Sequence, residues 1–318
     1  MSFKENFMIF VRYWFPPIIL CIAIVGNTLG FIVIRKPKLI NIGPRNIYKY
    51  LFIFDTFFLL QIIVSYIQHA NFTGYLNQTS ILVCKLAIFI NYSFAAVSPL
   101  LIVYISIDRY ISIQFPGKRF FLRKENTQLF YFIFVIIYNL IYYIPVIMYR
   151  DLIETNSTSN NNNNNTVIAI KTCTYKTAEH LMIISIMDTI NRVLIPFSLM
   201  LISSFLLIYC LFKSRTRIVE NFLAEENKTF YTEIRLATVS ISLNLIFLFL
   251  NMPICVISLF PNISNVNIFL YSYYLFYFSY AINFYILLLS NSLFMNEFLN
   301  LFKKSKKIED HLEMQDIN

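Results

Sequence analysis

Seven apolar stretches, each long enough to cross a membrane as a helix, constrain this chain more than any other feature. They cover residues 14–34, 47–68, 85–107, 128–148, 181–212, 236–259 and 266–289. A hydrocarbon core about 30 Å thick needs about 20 apolar residues in a helix. Hydrophobic residues make up 58% of the chain and charged residues only 14%, so a soluble fold would leave a large apolar surface in water. The sequence therefore predicts an all-α membrane protein, a seven-transmembrane helix bundle.

The segments outside the bundle are short. We predict an extracellular N-terminus at 1–13, a seven-transmembrane domain at 14–290, an amphipathic cytoplasmic helix at 291–302 and a cytoplasmic tail at 303–318. Phe294, Phe298 and Leu301 recur at helical spacing, which is typical of a helix that lies in the membrane interface. The asparagine-rich stretch 156–165 is expected to be a solvated, disordered insertion in an outer loop.

Basic residues predict which side of the membrane each loop faces. Nineteen of the 26 lysines and arginines fall in four segments on one side, 35–49, 109–124, 213–235 and 303–307. Only six fall on the other side, and Arg192 lies inside span five. Because positive charge concentrates in cytoplasmic loops, we expect a multi-pass plasma-membrane protein with its N-terminus outside. This topology accounts for the net charge of +9, and no basic segment indicates nucleic-acid binding.

Glycosylation sequons agree with that orientation. They occur in loops assigned to the outside, at Asn71, Asn77, Asn156, Asn164 and Asn262.

The sequence offers no chemistry typical of an enzyme. It has no nucleophile–base pairing, glycine-rich phosphate loop or paired carboxylates, and no Cys/His cluster of the kind that binds a metal. Two cysteines, Cys84 at the outer end of span three and Cys173 in the second outer loop, face the oxidising side.

A charged triplet, Asp108-Arg109-Tyr110, ends the third apolar stretch on the inner side. The steps from Cys84 to Arg109 cover about 37 Å of helix, roughly the membrane with part of both interfaces. One helix thus carries a cysteine outside and an ionic triplet inside. This pattern resembles the third helix of rhodopsin-like (class A) G-protein-coupled receptors. The resemblance to that family covers about residues 14–302. Asn283-Phe284 in span seven, followed by Ser290 and Phe294, resembles invertebrate FMRFamide-type neuropeptide receptors.

The resemblance implies roles for particular residues. A Cys84–Cys173 disulfide would tie the second outer loop over the bundle. Arg109 would pair with Asp108 and with Glu233, and breaking the second pair would free span six for a heterotrimeric G protein. Alternatively, Glu233 is solvated and pairs with nearby basic residues.

A polar cluster inside the spans would hold an allosteric sodium ion in the resembled family. Matching positions here are Asn27, Asp55, Ser98, Ser279 and Asn283. The alternative is that Asn27, Asp55 and Asn283 only hydrogen-bond helix to helix. No other cofactor or metal is expected.

Proline hinges are expected at Pro196 and Pro253, with Phe247 at the position of the family's aromatic switch. The sequence also departs from the family pattern. Asn251 stands where tryptophan is usual, and Phe284 and Leu287 replace the proline and tyrosine of the span-seven motif.

Candidate ligand-pocket residues are Asn91, Asp188, Arg192 and Tyr277. Asn91 occupies the position where amine receptors have an aspartate, which disfavours a monoamine. Asp188 and Arg192 are four residues apart, hence on one helix face, and either contact ligand or neutralise each other as an intrahelical pair.

The expected function is a receptor that passes binding of an extracellular ligand, a peptide, to a heterotrimeric G protein. The alternatives are an orphan or signalling-deficient receptor for a non-peptide ligand, and a seven-span transporter or ligand-gated channel. The charge asymmetry and the lack of an internal repeat disfavour the last two.

Overall fold

Helices make up most of the chain in a computed structural model that describes residues 3–39, 43–70, 80–161, 164–220, 224–259 and 266–315. The helices are α1 (Phe3–Ile34), α2 (Arg45–Ala70), α3 (Ile81–Ala95), α4 (Val97–Gln114), α5 (Arg119–Arg123), α6 (Glu125–Tyr142), α7 (Ile144–Tyr149), α8 (Ala178–Thr189), α9 (Ile195–Glu220), α10 (Ala224–Leu259), α11 (Val266–Ala281), α12 (Asn283–Ser290) and α13 (Ser292–Gln315). Two strands, β1 (Arg150–Asn161) and β2 (Asn164–Tyr175), form an antiparallel hairpin between α7 and α8.

Each apolar stretch predicted to span the membrane corresponds to one helix or to two joined end to end. Spans one, two and six are α1, α2 and α10; span three is α3 with α4, span four α6 with α7, span five α8 with α9, and span seven α11 with α12. In the described part of the chain, five of these spans are long and apolar enough to cross a membrane. Span seven counts as a sixth if its two helices, bent by 52°, are taken together. The 26 residues of α2 reach about 39 Å, which is also sufficient.

Prolines explain two of the breaks. Span three is interrupted at Ala96, shortly before Pro99. Span four is interrupted at Tyr143, shortly before Pro145. Proline has no backbone N–H and its ring clashes with the carbonyl four residues earlier, so the helix cannot continue unchanged through it.

The two expected hinge prolines differ in their surroundings. A π-helical segment, Ile190–Leu194, comes just before Pro196 and joins α8 to α9. Such a segment adds a residue to one turn and rotates the side chains that precede it. By contrast, α10 continues as one helix through Pro253.

Span three lies at the centre of the bundle. Its inner helix, α4, contacts α2, α6, α9 and α10 and buries nearly every side chain from Val97 to Arg109. The largest hydrophobic cluster forms around it and includes Leu51, Leu101, Val103, Leu243, Phe284 and Phe294. Movement of any of these spans would therefore change the packing around α4.

Spans one, two and four are joined by side-chain hydrogen bonds at the end of the bundle where α1 ends and α2 begins. Arg45 donates from Nε to the carbonyl of Ile34 at 2.8 Å, at the end of α1. Gln128 accepts through Oε1 from the backbone N–H of Asn46 at 2.9 Å. Since the first N–H groups of a helix lack intrahelical partners, Gln128 caps α2 from the neighbouring span.

Two helices extend past the predicted ends of their segments, and one stretch predicted to be disordered forms paired strands. Helix α1 begins at Phe3, within the segment expected to be an extracellular N-terminus, and α13 continues to Gln315, beyond the expected end at 302. The asparagine-rich stretch, expected to be disordered, pairs as the end of the β1–β2 hairpin except at residues 162–163, which lie outside the described residues. Asparagine has the same backbone N–H and C=O groups as other residues, so the two strands can pair through this stretch.

Candidate functional site

The second outer loop is bonded covalently to the outer end of span three. Cys84 and Cys173 form a disulfide with their Cα atoms 5.7 Å apart, and Cys173 lies opposite Leu152 in the hairpin. Arg150 stacks over the Tyr175 ring with its guanidinium carbon 4.5 Å from the ring centroid. Burial raises the pKa of the Tyr175 hydroxyl, so that group stays neutral beside the bundle. The disulfide expected from the resemblance is present.

At the inner end of span three, the charged triplet is buried and ion-paired. Arg109 donates from Nη2 to Asp108 Oδ2 at 2.7 Å, and both residues are at most 1% exposed. Asp108 Oδ1 also lies 3.5 Å from Arg123 Nε, and Arg123 donates to the Ser112 hydroxyl at 2.7 Å. In the sequence, Arg123 is only one of several basic residues between spans three and four. It lies in α5, where its position depends on how the inner loop folds back onto α4.

Gly43 covers this ion pair from the first inner loop. Its backbone has a φ of +112°, and a Cβ placed there would lie 1.4 Å from Arg109 Nη2. Only glycine adopts this conformation readily and leaves the required space. This contact could not be predicted, because no sequence pattern connects Gly43 with a triplet more than sixty residues away.

Two other members of the expected inner site have different outcomes. Tyr110 lies in α4 beside the pair and is partly buried. Glu233 lies in α10, but its side chain is outside the described part of the structure. The expected Arg109–Glu233 contact therefore stays a prediction.

The mid-membrane polar positions are brought together in part. Asn283 donates from Nδ2 to Asp55 Oδ2 at 2.7 Å, and Asp55 is fully buried. Ser98 lies close enough to interact with the same carboxylate. Asp55 Oδ1 has no hydrogen-bond partner among the described residues. An unpartnered carboxylate oxygen beside hydroxyl and amide groups is suited to a hard cation.

The other two members of the predicted polar cluster are oriented differently. The Ser279 hydroxyl donates to the Phe276 carbonyl of its own helix at 2.7 Å. Asn27 is 1% exposed, and neither of its side-chain polar atoms has a partner in the described part of the chain. The donor set at Asp55 therefore fits an ion through Asp55, Ser98 and Asn283 more closely than through all five residues.

Asp188 and Arg192 form a buried intrahelical ion pair in span five, one of the two alternatives that the sequence left open. Arg192 Nη2 lies 2.6 Å from Asp188 Oδ2. The Tyr143 hydroxyl of span four donates to Asp188 Oδ1 at 3.0 Å. On its other side, the Arg192 guanidinium lies 4.4 Å from the centroid of the Phe276 ring in span seven. This pair thus connects spans four, five and seven below the outer loop.

The remaining pocket candidates, the expected aromatic switch residue and Asn251 contact neighbouring side chains or their own helix. Asn91 is partly exposed in α3. Tyr277 packs against Phe58 and Tyr273, and Phe247 is buried in the main hydrophobic cluster. Asn251, in place of the usual tryptophan, donates to the Phe247 carbonyl at 2.7 Å.

Sequence reasoning missed several polar contacts between spans. In spans four and five, Asn191 donates to Asn139 at 2.8 Å and accepts from Tyr138 at 2.9 Å. Closer to Arg109, a second group of connected side chains, which we call the inner polar network, consists of Ser106, Ser204, Ser240 and Asn244. Their signal was present in the sequence, because asparagine and serine are uncommon in otherwise apolar helices, but no spacing rule indicates which of them meet.

The expected glycosylation sites stay predictions. Asn71, Asn77 and Asn262 lie outside the described residues, and the side chains of Asn156 and Asn164 in the hairpin are likewise outside them. Within the described part of the chain there is no cluster of three or more His, Cys, Asp or Glu residues able to hold a metal ion.

Comparison with known proteins agrees with this geometry at the level of the family. A family described as "7 transmembrane receptor (rhodopsin family)" matches residues 27–299, most of the chain. No curated protein matches the chain significantly. The match confirms the predicted seven-helix fold, and members of this family are receptors rather than enzymes. With the disulfide at the outer end of span three and the buried ionic triplet at its inner end, the chain belongs to the rhodopsin family of 7 transmembrane receptors.

Proposed function

We propose that this receptor lies in the plasma membrane with its N-terminus outside, binds a neuropeptide between the outer halves of its spans, and activates a heterotrimeric G protein. The observation that carries the proposal is the buried Asp108–Arg109 ion pair at the inner end of span three. Burying two charges is costly unless they are paired, so such a pair is suited to hold one conformation until another becomes more stable.

The mechanism is a shift between two arrangements of the inner bundle. In the described arrangement, Arg109 is held by Asp108 and covered by Gly43. An outward movement of span six would release the arginine toward the cytoplasm, where a G protein's helix could contact it. A minor active population near 1% in the absence of ligand would need a free-energy difference of only a few kcal/mol. The ligand favours the active arrangement because it binds that arrangement more tightly than the inactive one.

The surroundings of Asp188 bear on the class of ligand. Its two carboxylate oxygens already accept from Arg192 and Tyr143, so a ligand amine would have to displace Arg192. Arg192 Nε, by contrast, has no hydrogen-bond partner among the described residues. A ligand rich in carbonyl acceptors, as a peptide is, suits this arrangement better than a small amine.

We also propose an allosteric sodium ion at Asp55. Asp55 Oδ1 would bind it, with Ser98 and Asn283 beside the carboxylate. The ion would hold spans two, three and seven together and favour the inactive arrangement. Replacing sodium with choline should therefore raise agonist affinity in the parent receptor and leave Asp55→Asn unchanged.

The function is tested by expressing the chain in cultured cells and recording G-protein dissociation against a neuropeptide library, with amines and lipids alongside. Arg109→Ala is the matched variant, and surface labelling confirms that both proteins reach the membrane. A peptide response that Arg109→Ala abolishes would support the proposal. Agonist-driven signalling that survives in Arg109→Ala would overturn the mechanism, and a response to amines or lipids alone would overturn the ligand class.

A second candidate is a receptor for a non-peptide ligand that signals poorly or not at all. It is favoured by Asn251 in place of tryptophan and by Phe284 and Leu287 in the span-seven motif. Silence toward every peptide despite confirmed surface expression would favour it over the first proposal.

A further inference from the structure

The inner polar network lies one helical turn from Arg109, toward the middle of the membrane. Its members come from three spans: Ser106 from span three, Ser204 from span five, and Ser240 and Asn244 from span six. Ser106 Oγ lies 2.9 Å from Asn244 Oδ1, and Ser240 Oγ lies 3.2 Å from Ser106 Oγ. Asn244 Nδ2 donates to the Ser204 hydroxyl at 2.8 Å. The network therefore bonds the inner half of span six to spans three and five.

The network is almost closed to solvent. Ser106 and Ser240 are each 1% exposed and Asn244 is 7% exposed. Ser240 and Asn244 are four residues apart and lie on one face of α10, which presents both side chains to Ser106. The Ser106 hydroxyl also lies 3.0 Å from the carbonyl of Ile102 in its own helix, so it keeps a partner if span six moves away. Asn244 Oδ1 has no other partner among the described residues, and leaving a buried polar group without one costs more than the bond itself contributes.

From these contacts we infer that Asn244, with Ser106 and Ser240, positions the inner half of span six against span three and sets how rarely it moves outward in the absence of ligand. This role rests on the proposed function, since it concerns the same movement of span six. It does not involve the triplet itself, because Ser106 and Asn244 contact neither Asp108 nor Arg109 by any described hydrogen bond. Asn244 is thus a positioning residue for the switch.

The geometry limits how far span six can move with the network intact. A hydrogen bond between Ser106 and Asn244 at 2.9 Å is lost once the oxygens separate beyond about 3.5 Å. An outward movement of less than 1 Å at this level is therefore enough to break it. The contact between Asn244 and Ser204 persists if spans five and six move together, so the contacts to Ser106 are the ones that oppose opening.

The test measures the position of span six directly. Spin labels at Phe121→Cys and Arg235→Cys, in a background in which the exposed Cys21 is replaced by serine, report the distance between the second inner loop and span six in the purified full-length receptor. Asn244→Leu and Ser240→Ala should each enlarge the longer-distance population about three- to tenfold without ligand, as expected for the loss of one or two hydrogen bonds between membrane helices. Ser106→Ala should have a similar effect.

Ser258→Ala is the matched control. Ser258 lies in the same helix, and among the described residues its hydroxyl donates to the Ile254 carbonyl of that helix alone, at 2.8 Å. Its distance distribution should equal that of the parent. Distributions of Asn244→Leu, Ser240→Ala and Ser106→Ala that all match Ser258→Ala would overturn the inference. A longer distance without any G-protein activation would leave the inference standing and count against the proposed function instead.

Discussion

The Tyr280 hydroxyl in span seven donates to the backbone carbonyl of Ala95 in span three, with the two oxygens 2.6 Å apart. In an unbroken helix this carbonyl would accept from the N–H of residue 99, but residue 99 is proline and has none. Tyr280 therefore satisfies the carbonyl that Pro99 leaves without its usual partner. Both residues are buried, so water cannot replace the bond, and the break in span three depends on span seven.

We expect Tyr280→Phe to destabilise the receptor by about 1–3 kcal/mol, because it leaves a buried carbonyl unsatisfied. The midpoint of thermal unfolding of the purified protein measures the change. Tyr285→Phe is the matched control. The Tyr285 hydroxyl also donates to a carbonyl, that of Ile22, at 3.1 Å, but Ile22 lies inside the continuous helix α1, where its carbonyl keeps its backbone partner. The effect of this variant should be smaller.

Pro99→Ala supplies a second check on the same contact. Alanine restores an N–H that can donate to the Ala95 carbonyl, so Tyr280→Phe should be much less destabilising in that background. Equal losses in both backgrounds would show that Tyr280 contributes only through packing.

The seven spans and the two ends of span three could be predicted because hydrophobicity and helical rise act locally along the chain. Contacts that cross the bundle could not be predicted in the same way. Gly43 reaches Arg109, Arg123 reaches Asp108, and Tyr280 reaches Ala95 only after the helices pack. Each of these contacts depends on how the helices are rotated about their axes. In spans three to five that rotation is altered by Pro99, Pro145 and the π-helical segment, and the periodicity of the sequence does not predict it.

Breaking the Asp188–Arg192 pair should lower the folded yield. We expect Arg192→Gln to cost about 3–5 kcal/mol, since it leaves a buried carboxylate without its cation. The double variant with Asp188→Asn removes both charges and should recover much of the loss. Surface labelling and size-exclusion chromatography measure the folded fraction. If Arg192→Gln instead folds normally and only loses its response to ligand, the arginine binds ligand rather than stabilising the bundle.

The disulfide is expected to stabilise the outer half of the receptor. Its cysteines are 89 residues apart, and closing a loop of this length contributes about 4–5 kcal/mol in the chain-entropy account. Cys84→Ser, Cys173→Ser and the double variant should therefore lose surface expression and thermal stability to the same extent. Cys21→Ser, which removes an exposed, unpaired cysteine, should leave both unchanged. A single variant markedly worse than the double would indicate harm from the remaining thiol rather than loss of the bond.

Gly43→Ala should alter signalling through Arg109 without touching the triplet. The new methyl group would overlap the Arg109 guanidinium, and a φ of +112° is strained for alanine, by about 1–3 kcal/mol. The arginine or the first inner loop must move, so we expect a change in basal G-protein activation together with lower thermal stability. Gly117→Ala is the matched control, because a Cβ at Gly117 would meet nothing within 4 Å. Both variants are compared with the parent at equal surface expression. Parent-like basal activity and stability in Gly43→Ala would mean that the first inner loop does not constrain Arg109.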